Sequence, residues 1–403
     1  MSILLKKLGP GFLFAGAAIG VSHLVQSTRA GADFGFGLLW ALVLINLIKY
    51  PFFQFGTSYA AATGESMLEG YHKMGKGVLI AYFILTFATM FTIQTAVTIV
   101  TAGIAASLFG WGAITLWTAV ITAICFCILI LGKYKFLDGL IKGIVICLTI
   151  STIIAVALIV KDVDSISLQQ TLPSDVISIG FLIAFMGWMP APLDISIWQS
   201  IWTIEKQKIQ PDLTPKQVLF DFNVGYVMTC ILALGFLALG ALVMFDSGES
   251  FSNKGGVFAN QLINIYVLSL GDWAKIIIGI AALTTMFSTT LTTLDASPRV
   301  MHKTSEILSS TKMRHGYLLW LVILAIGTLF IFKFLLSEMG SLIKIATILS
   351  FLTAPFYAII NLKLMTSQWV PAIFRPSRTM RIYAGTSIGL LFALSIWYLS
   401  TLL

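Results

Sequence analysis

Two short runs in this 403-residue sequence carry residue types able to hold and orient a small polar solute. The first is Gly16-Ala17-Ala18-Ile19-Gly20-Val21-Ser22-His23. The second is Met186-Gly187-Trp188-Met189-Pro190-Ala191-Pro192-Leu193-Asp194. Two prolines two residues apart remove backbone donors and forbid a continuous helix in the second run. Glycines at 16 and 20 permit unwinding in the first. Helices that restart near Ser22 and near Pro192 would aim free N–H groups and positive dipole ends at whatever lies between them, and such ends favour anions. The Ser22 hydroxyl and the His23 imidazole would add donors to an oxyanion. Gly20, Val21, Trp188, Met189, Pro190, Ala191 and Asp194 complete the candidate substrate-binding set. His23 also reads as a helix-capping or packing histidine, and Trp188 as a ring that either seals a pocket or packs.

Ionisable groups inside apolar segments are the other candidates, because a charge at membrane depth is costly enough to imply a role. Lys49, within Asn46-Leu47-Ile48-Lys49-Tyr50-Pro51, balances an anion or pairs with Asp194 or Asp221. Lys344 lines the pathway or snorkels to the outer interface. Asp221, Asn223, Asp295 and Arg299 form an inner gate network or are plain interfacial polar residues. Cys125, Cys127, Cys147 and Cys230 stand in apolar runs with no CxxC and no His nearby, which suits packing and not a metal cage or disulfide framework. No HExxH, no Ser-His-Asp set and no paired intramembrane carboxylates occur, so an enzyme or a transport-dead sensor is a remote reading, and no cofactor is expected.

The elements that must position these residues are set by composition. The chain is 58% hydrophobic and 10% charged, with mean hydropathy +0.94. A soluble domain is about 25% charged, so a soluble enzyme, a disordered chain and a nucleic-acid binder are excluded. An all-α polytopic membrane protein remains, and the net charge of +8 reports topology, not a nucleic-acid partner. Spans need about 20 apolar residues. That criterion predicts eleven, at roughly 10–31, 36–61, 78–108, 112–132, 139–160, 175–201, 216–245, 271–297, 316–336, 339–362 and 381–402, with an amphipathic stretch, 257–270, resting at the surface. Two lysines precede the first span, which is read as a spanning helix and not a signal peptide. Of the 25 Lys and Arg, 18 fall in one set of alternate loops, five in the other, and Lys49 and Lys344 inside spans. The positive-inside rule then predicts a cytoplasmic N-terminus, a C-terminus outside and an inner-membrane location. Ten tryptophans fall mostly near span ends, as an aromatic belt requires, Trp188 excepted.

Both breaks open a five-span unit, in the first and the sixth spans, and the second unit is inverted relative to the first. Non-helical backbone at membrane depth is tolerated where it lines a cavity or is buried in protein. Interrupted helices in corresponding positions of two halves mark the binding site of an inverted-repeat secondary transporter. One transmembrane transporter domain over 1–403 is expected, with repeat one at about 10–160, repeat two at about 175–362 and an extra helix at about 381–402.

Gly9-Pro10-Gly11-Phe12-Leu13, Ala30-Gly31-Ala32-Asp33-Phe34-Gly35-Phe36-Gly37-Leu38-Leu39-Trp40, Asn46, Ala62-Thr63-Gly64-Glu65 and Met189-Pro190 resemble the NRAMP family of divalent-metal transporters, which has the LeuT-type fold. The resemblance covers essentially the whole chain, but the family's functional motifs depart. Its Asp-Pro-Gly-Asn tetrad falls on Gly20-Val21-Ser22-His23, its Met-Pro-His becomes Met189-Pro190-Ala191, and residues 89–95 of the third span lack the acids of its proton route. Of the metal ligands that the resemblance implies, only Met189 stands. A dehydrated divalent cation wants carboxylates or imidazoles, and Asp194 is the one acid close by. Some divergent bacterial proteins related to this family look like bicarbonate transporters, and this chain resembles them in what it has lost. A small planar oxyanion, bicarbonate, is therefore the expected substrate. A divalent manganese or magnesium site rebuilt from His23, Met189 and Asp194 is the alternative. The resemblance also implies sodium as coupling ion, held by carbonyls of Gly16 to Ile19 and hydroxyls of the eighth span, Ser288-Thr289 or Thr292-Thr293. Those hydroxyls read alternatively as bonded back to their own i−4 carbonyls.

Overall fold

Apolar runs of this length leave the backbone no water to bond with, so the chain closes its hydrogen bonds within helices. In a computed structural model, residues 10–132, 148–162, 166–245, 247, 250–253, 255–271, 273–334 and 339–403 are described. No strand occurs among them.

The first expected span is three pieces: α1 (Pro10–Ala18), a π-helical turn α2 (Ser22–Ser27) and α3 (Thr28–Phe34). Then come α4 (Leu39–Thr63), a short α5 (Met67–Met74), α6 (Lys76–Phe109) and α7 (Ile114–Ile130). Helix α8 (Leu148–Ile159) covers the C-terminal part of the fifth expected span, whose beginning lies outside the described residues, as do Cys147 and the N-terminal lysines. The sixth is again broken, into α9 (Val176–Trp188) and α10 (Ile195–Ile209). Helices α11 (Pro215–Val243), α12 (Gly255–Leu270), α13 (Ala274–Ser309), α14 (Gly316–Phe334), α15 (Met339–Met365) and α16 (Arg378–Ser400) complete the chain. Among the described residues seven helices are long and apolar enough to cross a membrane: α4, α6, α11, α13, α14, α15 and α16.

Long apolar faces on α14 and α16 remain open to the surroundings, whereas residues 14–28 and, half-buried Pro192 apart, residues 188–203 are buried. The broken spans are thus the centre of the molecule, and the smooth ones enclose them. Close backbone approach makes this possible. Gly11 lies against the Asp221 carbonyl, and a Cβ there would overlap it. The stretch 257–270 differs from expectation: Phe258, Leu262, Ile265 and Tyr266 are buried, and Tyr266 meets Thr152 through a 2.8 Å hydroxyl contact. Its apolar face is covered by α6, α8 and α13 and so does not rest on lipid alone.

Candidate functional site

Both breaks border one small cavity of about 30 Å3. The first span contributes Ala17, Ala18, Gly20, Val21 and Ser22 to its wall. Trp188, Pro192, Ile195 and Trp198 come from the sixth, Ile93 and Val97 from α6, and Thr289 and Thr293 from α13. No carboxylate, imidazole or thioether lines it. Among the described residues no group of three or more His, Cys, Asp or Glu could hold a metal ion.

The predicted substrate set divides on this geometry. Gly20, Val21, Ser22 and Trp188 line the cavity; His23, Met189, Pro190, Ala191 and Asp194 do not. His23 stands outside the cavity wall. The π-helical turn rotates its fully buried ring away from the cavity, where Nε2 donates to the Thr229 carbonyl at 3.0 Å and Nδ1 meets Ser22 Oγ at 2.7 Å. It clamps α2 to α11, which is the packing role left open above. The Ser22 hydroxyl also lies 2.7 Å from the Ala18 carbonyl, so its single proton is contested. Met189 and Ala191 are buried behind the wall. The Trp188 ring lines the cavity, and Nε1 donates to Ser350 Oγ at 2.8 Å.

Lys49 is fully buried and pairs with neither Asp194 nor Asp221 by direct contact. Its Nζ donates to the carbonyls of Met186 (2.9 Å), Gly187 (2.6 Å) and Ala191 (3.1 Å). Those oxygens are freed by the break after α9, where the helix dipole is negative, so an ammonium there is doubly favoured. Lys49 spans the interruption and fixes its shape. Lys344 is exposed on α15 and stands outside the cavity wall, consistent with snorkelling. Of the polar residues expected near the inner interface, Asp221 accepts from the Gly11 N–H at 2.9 Å, Tyr50 donates to Asn223 at 2.9 Å, and Arg299 grips Asp295 at 2.9 and 2.8 Å. On the opposite side Arg29 donates to the carbonyls of Phe251 and Ser252 and to Asn253 Oδ1. Cys125 is buried, Cys127 exposed, and Cys230 donates to Asn46 Oδ1.

The break in the first span meets α13 at Thr289. Its Oγ1 lies 3.2 Å from the Gly16 carbonyl, 3.0 Å from that of Ile19 and 3.1 Å from that of Thr285. One hydroxyl proton serves one of these three acceptors, which leaves a surplus of oxygens suited to a small cation. The i−4 alternative is thus also within reach. Ser288 Oγ is buried without a hydrogen-bond partner among the described residues, whereas Thr293 turns to Gln94 Oε1 at 2.6 Å. A Cβ on Gly20 would sit 2.8 Å from Thr289 Cγ2 and 3.0 Å from Oγ1, so the approach requires glycine.

Trp198 was not separable from the interfacial tryptophans by sequence. It is 2% exposed, lines the cavity, and its indole N–H has no hydrogen-bond partner among the described residues. The one available signal was its place a helical turn after Asp194, on the inward face of the restarted helix.

Two interrupted helices facing one buried cavity inside an all-helical membrane protein define a LeuT-type secondary transporter. The family model for natural resistance-associated macrophage protein-like (Nramp) proteins matches residues 11–401, and the chain belongs to that family. It is 38% identical over 369 residues to an uncharacterized protein of Pasteurella multocida (strain Pm70), covering 89% of this chain and 84% of the relative. Among solved structures it is similar to the Eremococcus coleocola manganese transporter (TM-score 0.73, 16% identity, 97% of this chain and 85% of that one). It also resembles MhsT, solved with L-phenylalanine (TM-score 0.62, 16% identity, 96% and 98% covered).

Proposed function

We propose that this transporter moves a small oxyanion, bicarbonate, together with sodium by alternating access, in the inner membrane with its N-terminus in the cytoplasm. The observation that carries the reading is the cavity wall itself: it holds no acid, and the indole N–H of its Trp198, near the start of α10, has no hydrogen-bond partner among the described residues. An unpaired buried donor favours an acceptor ligand, and a divalent cation would find no charge there to replace its hydration. The small volume suits a species of a few heavy atoms. Sodium is supported by the carbonyls of Gly16 and Ile19 converging on Thr289.

The manganese transporter among the similar structures makes metal transport the reading to test against. Purified protein in liposomes is expected to accumulate bicarbonate under an inward sodium gradient and to leave manganese outside. Trp198→Phe keeps the ring and removes the donor. Since a hydrogen bond to a charged group contributes about 1.5–3 kcal/mol, the bicarbonate KM should rise roughly 10- to 100-fold. Manganese uptake that Asp194→Ala abolishes, with no bicarbonate flux, overturns the proposal.

A further inference from the structure

Buried polar groups that this transport scheme leaves unused gather on one side of the cavity. Asp194 is 5% exposed, lies two residues beyond Pro192 of the cavity wall, and its Oδ1 has no hydrogen-bond partner among the described residues. Three elements bring titratable or charged groups toward it. From α4 comes Lys49, whose ammonium already donates to three carbonyls. From α6 comes Tyr82 and from α15 Tyr357, both buried, with ring centroids 6.2 Å apart and within electrostatic reach of the carboxylate. The hydroxyls of Tyr82 and of Thr86, one turn further along α6, are likewise buried, and Thr86 stands between the two tyrosines. Two residues past Asp194, Ser196 Oγ accepts from Asn361 Nδ2 at 2.9 Å, and Asn361 Oδ1 accepts from the Tyr71 hydroxyl. Tyr71 belongs to the short helix α5 in a Lys-bearing loop of the inner set, and its ring stands 5.9 Å from Tyr82.

We propose that Asp194 is a proton-binding site, separate from the substrate cavity, that opens toward the cytoplasm beside the hydroxyls of Tyr82, Thr86, Tyr357 and Tyr71. A metal ion is the poorer occupant, because the Lys49 ammonium stands on the same side and repels a second cation. A proton suits the unpartnered oxygen: it removes the buried negative charge and turns the oxygen into a donor. The consequence, which rests on the anion reading above, concerns the cavity wall. With Asp194 ionised, its charge offsets that of Lys49. With Asp194 protonated, the ammonium acts alone and the wall attracts an anion. By reciprocity, anion binding then draws a proton onto Asp194.

Two measurements separate the site from the substrate. Infrared difference spectra of the purified wild type, titrated from mildly acidic to mildly alkaline pH, should show the C=O stretch of a protonated carboxyl that disappears as pH rises. Asp194→Asn should lack this band, and Asp194→Glu should restore it at a shifted frequency, which also shows that the fold tolerates changes here. A titrating band that survives in folded Asp194→Asn, or no such band in wild type, overturns the proton site whatever the substrate. Calorimetry of bicarbonate binding in two buffers of different ionisation enthalpy should show proton uptake in wild type and its loss in Asp194→Asn. Equal uptake in both overturns the coupling. Absence of bicarbonate binding altogether, with the infrared band intact, refutes the anion reading and leaves the proton site standing.

Discussion

At Gly20 the side chain that a metal site would need and the packing that this protein has are mutually exclusive. Any Cβ there comes within 3.0 Å of the Thr289 side chain, a short β-branched group with little freedom to withdraw. Overpacking of this kind costs about 1–3 kcal/mol. Gly20→Ala should therefore lower the thermal midpoint in detergent and weaken sodium stimulation of flux. Adding Thr289→Ser removes Cγ2 while keeping Oγ1, and should recover most of both; equal loss in the double variant would show that Thr289 is not what constrains position 20. The glycine, the missing acids and the two breaks were legible in the sequence because Gly and Pro act through the backbone of their own residue. The fates of His23, Trp198 and Lys49 were not. Each depends on a partner far along the chain: the Thr229 carbonyl, the wall contributed by α6 and α13, and the freed carbonyls of Met186 and Gly187. Hydropathy flags a buried lysine as functional but does not say that its partners are three carbonyl oxygens.

At the scale of elements, the interrupted spans keep their geometry because other elements hold their ends. Arg29 ties α3 to the stretch before α12, and Asp221 accepts from the Gly11 N–H at the start of α1. The helix α5 is held at its own start by a capping box: Ser66 N–H donates to Glu69 Oε2 at 2.6 Å, and Lys303 of α13 lies 3.2 Å from the same oxygen. Burial alone would raise the Glu69 carboxyl, but Lys303 and the Ser66 bonds outweigh it and hold it below its ordinary 4.5. A depressed carboxyl contributes stability that is present above the unfolded value and lost as pH falls through the folded one. The clasp between α5 and α13 should thus weaken as pH drops below 4.5. Glu69 is more than a third exposed, so screening limits the Lys303 pair to about 0.2–1 kcal/mol. The difference in thermal midpoint between wild type and Glu69→Gln should be largest near neutral pH and shrink in acid. A difference independent of pH would assign Glu69 a packing role only.

For the whole molecule, orientation decides what the buried groups are connected to. The fold and its smooth spans were readable from runs of apolar residues, since each run satisfies its own backbone; the docking of α12 against α6 and α8 was not, because an amphipathic face looks the same whether lipid or protein covers it. The direction of the chain rests on the uneven distribution of Lys and Arg between alternate loops. If the N-terminus is cytoplasmic, the α5 helix and Tyr71 lie inside, and the Asp194 site opens inward, while the Arg29 contacts close the outer side. Single cysteines introduced after replacing the four native ones test this. Ser167, Ser310 and Leu402 are all exposed, and each sits in a connection or end on a defined side. A membrane-impermeant maleimide should label Ser167→Cys and Leu402→Cys on intact cells, and Ser310→Cys only after permeabilisation. The reverse pattern would invert the molecule, make α5 an external helix and require Asp194 to exchange its proton with the outside.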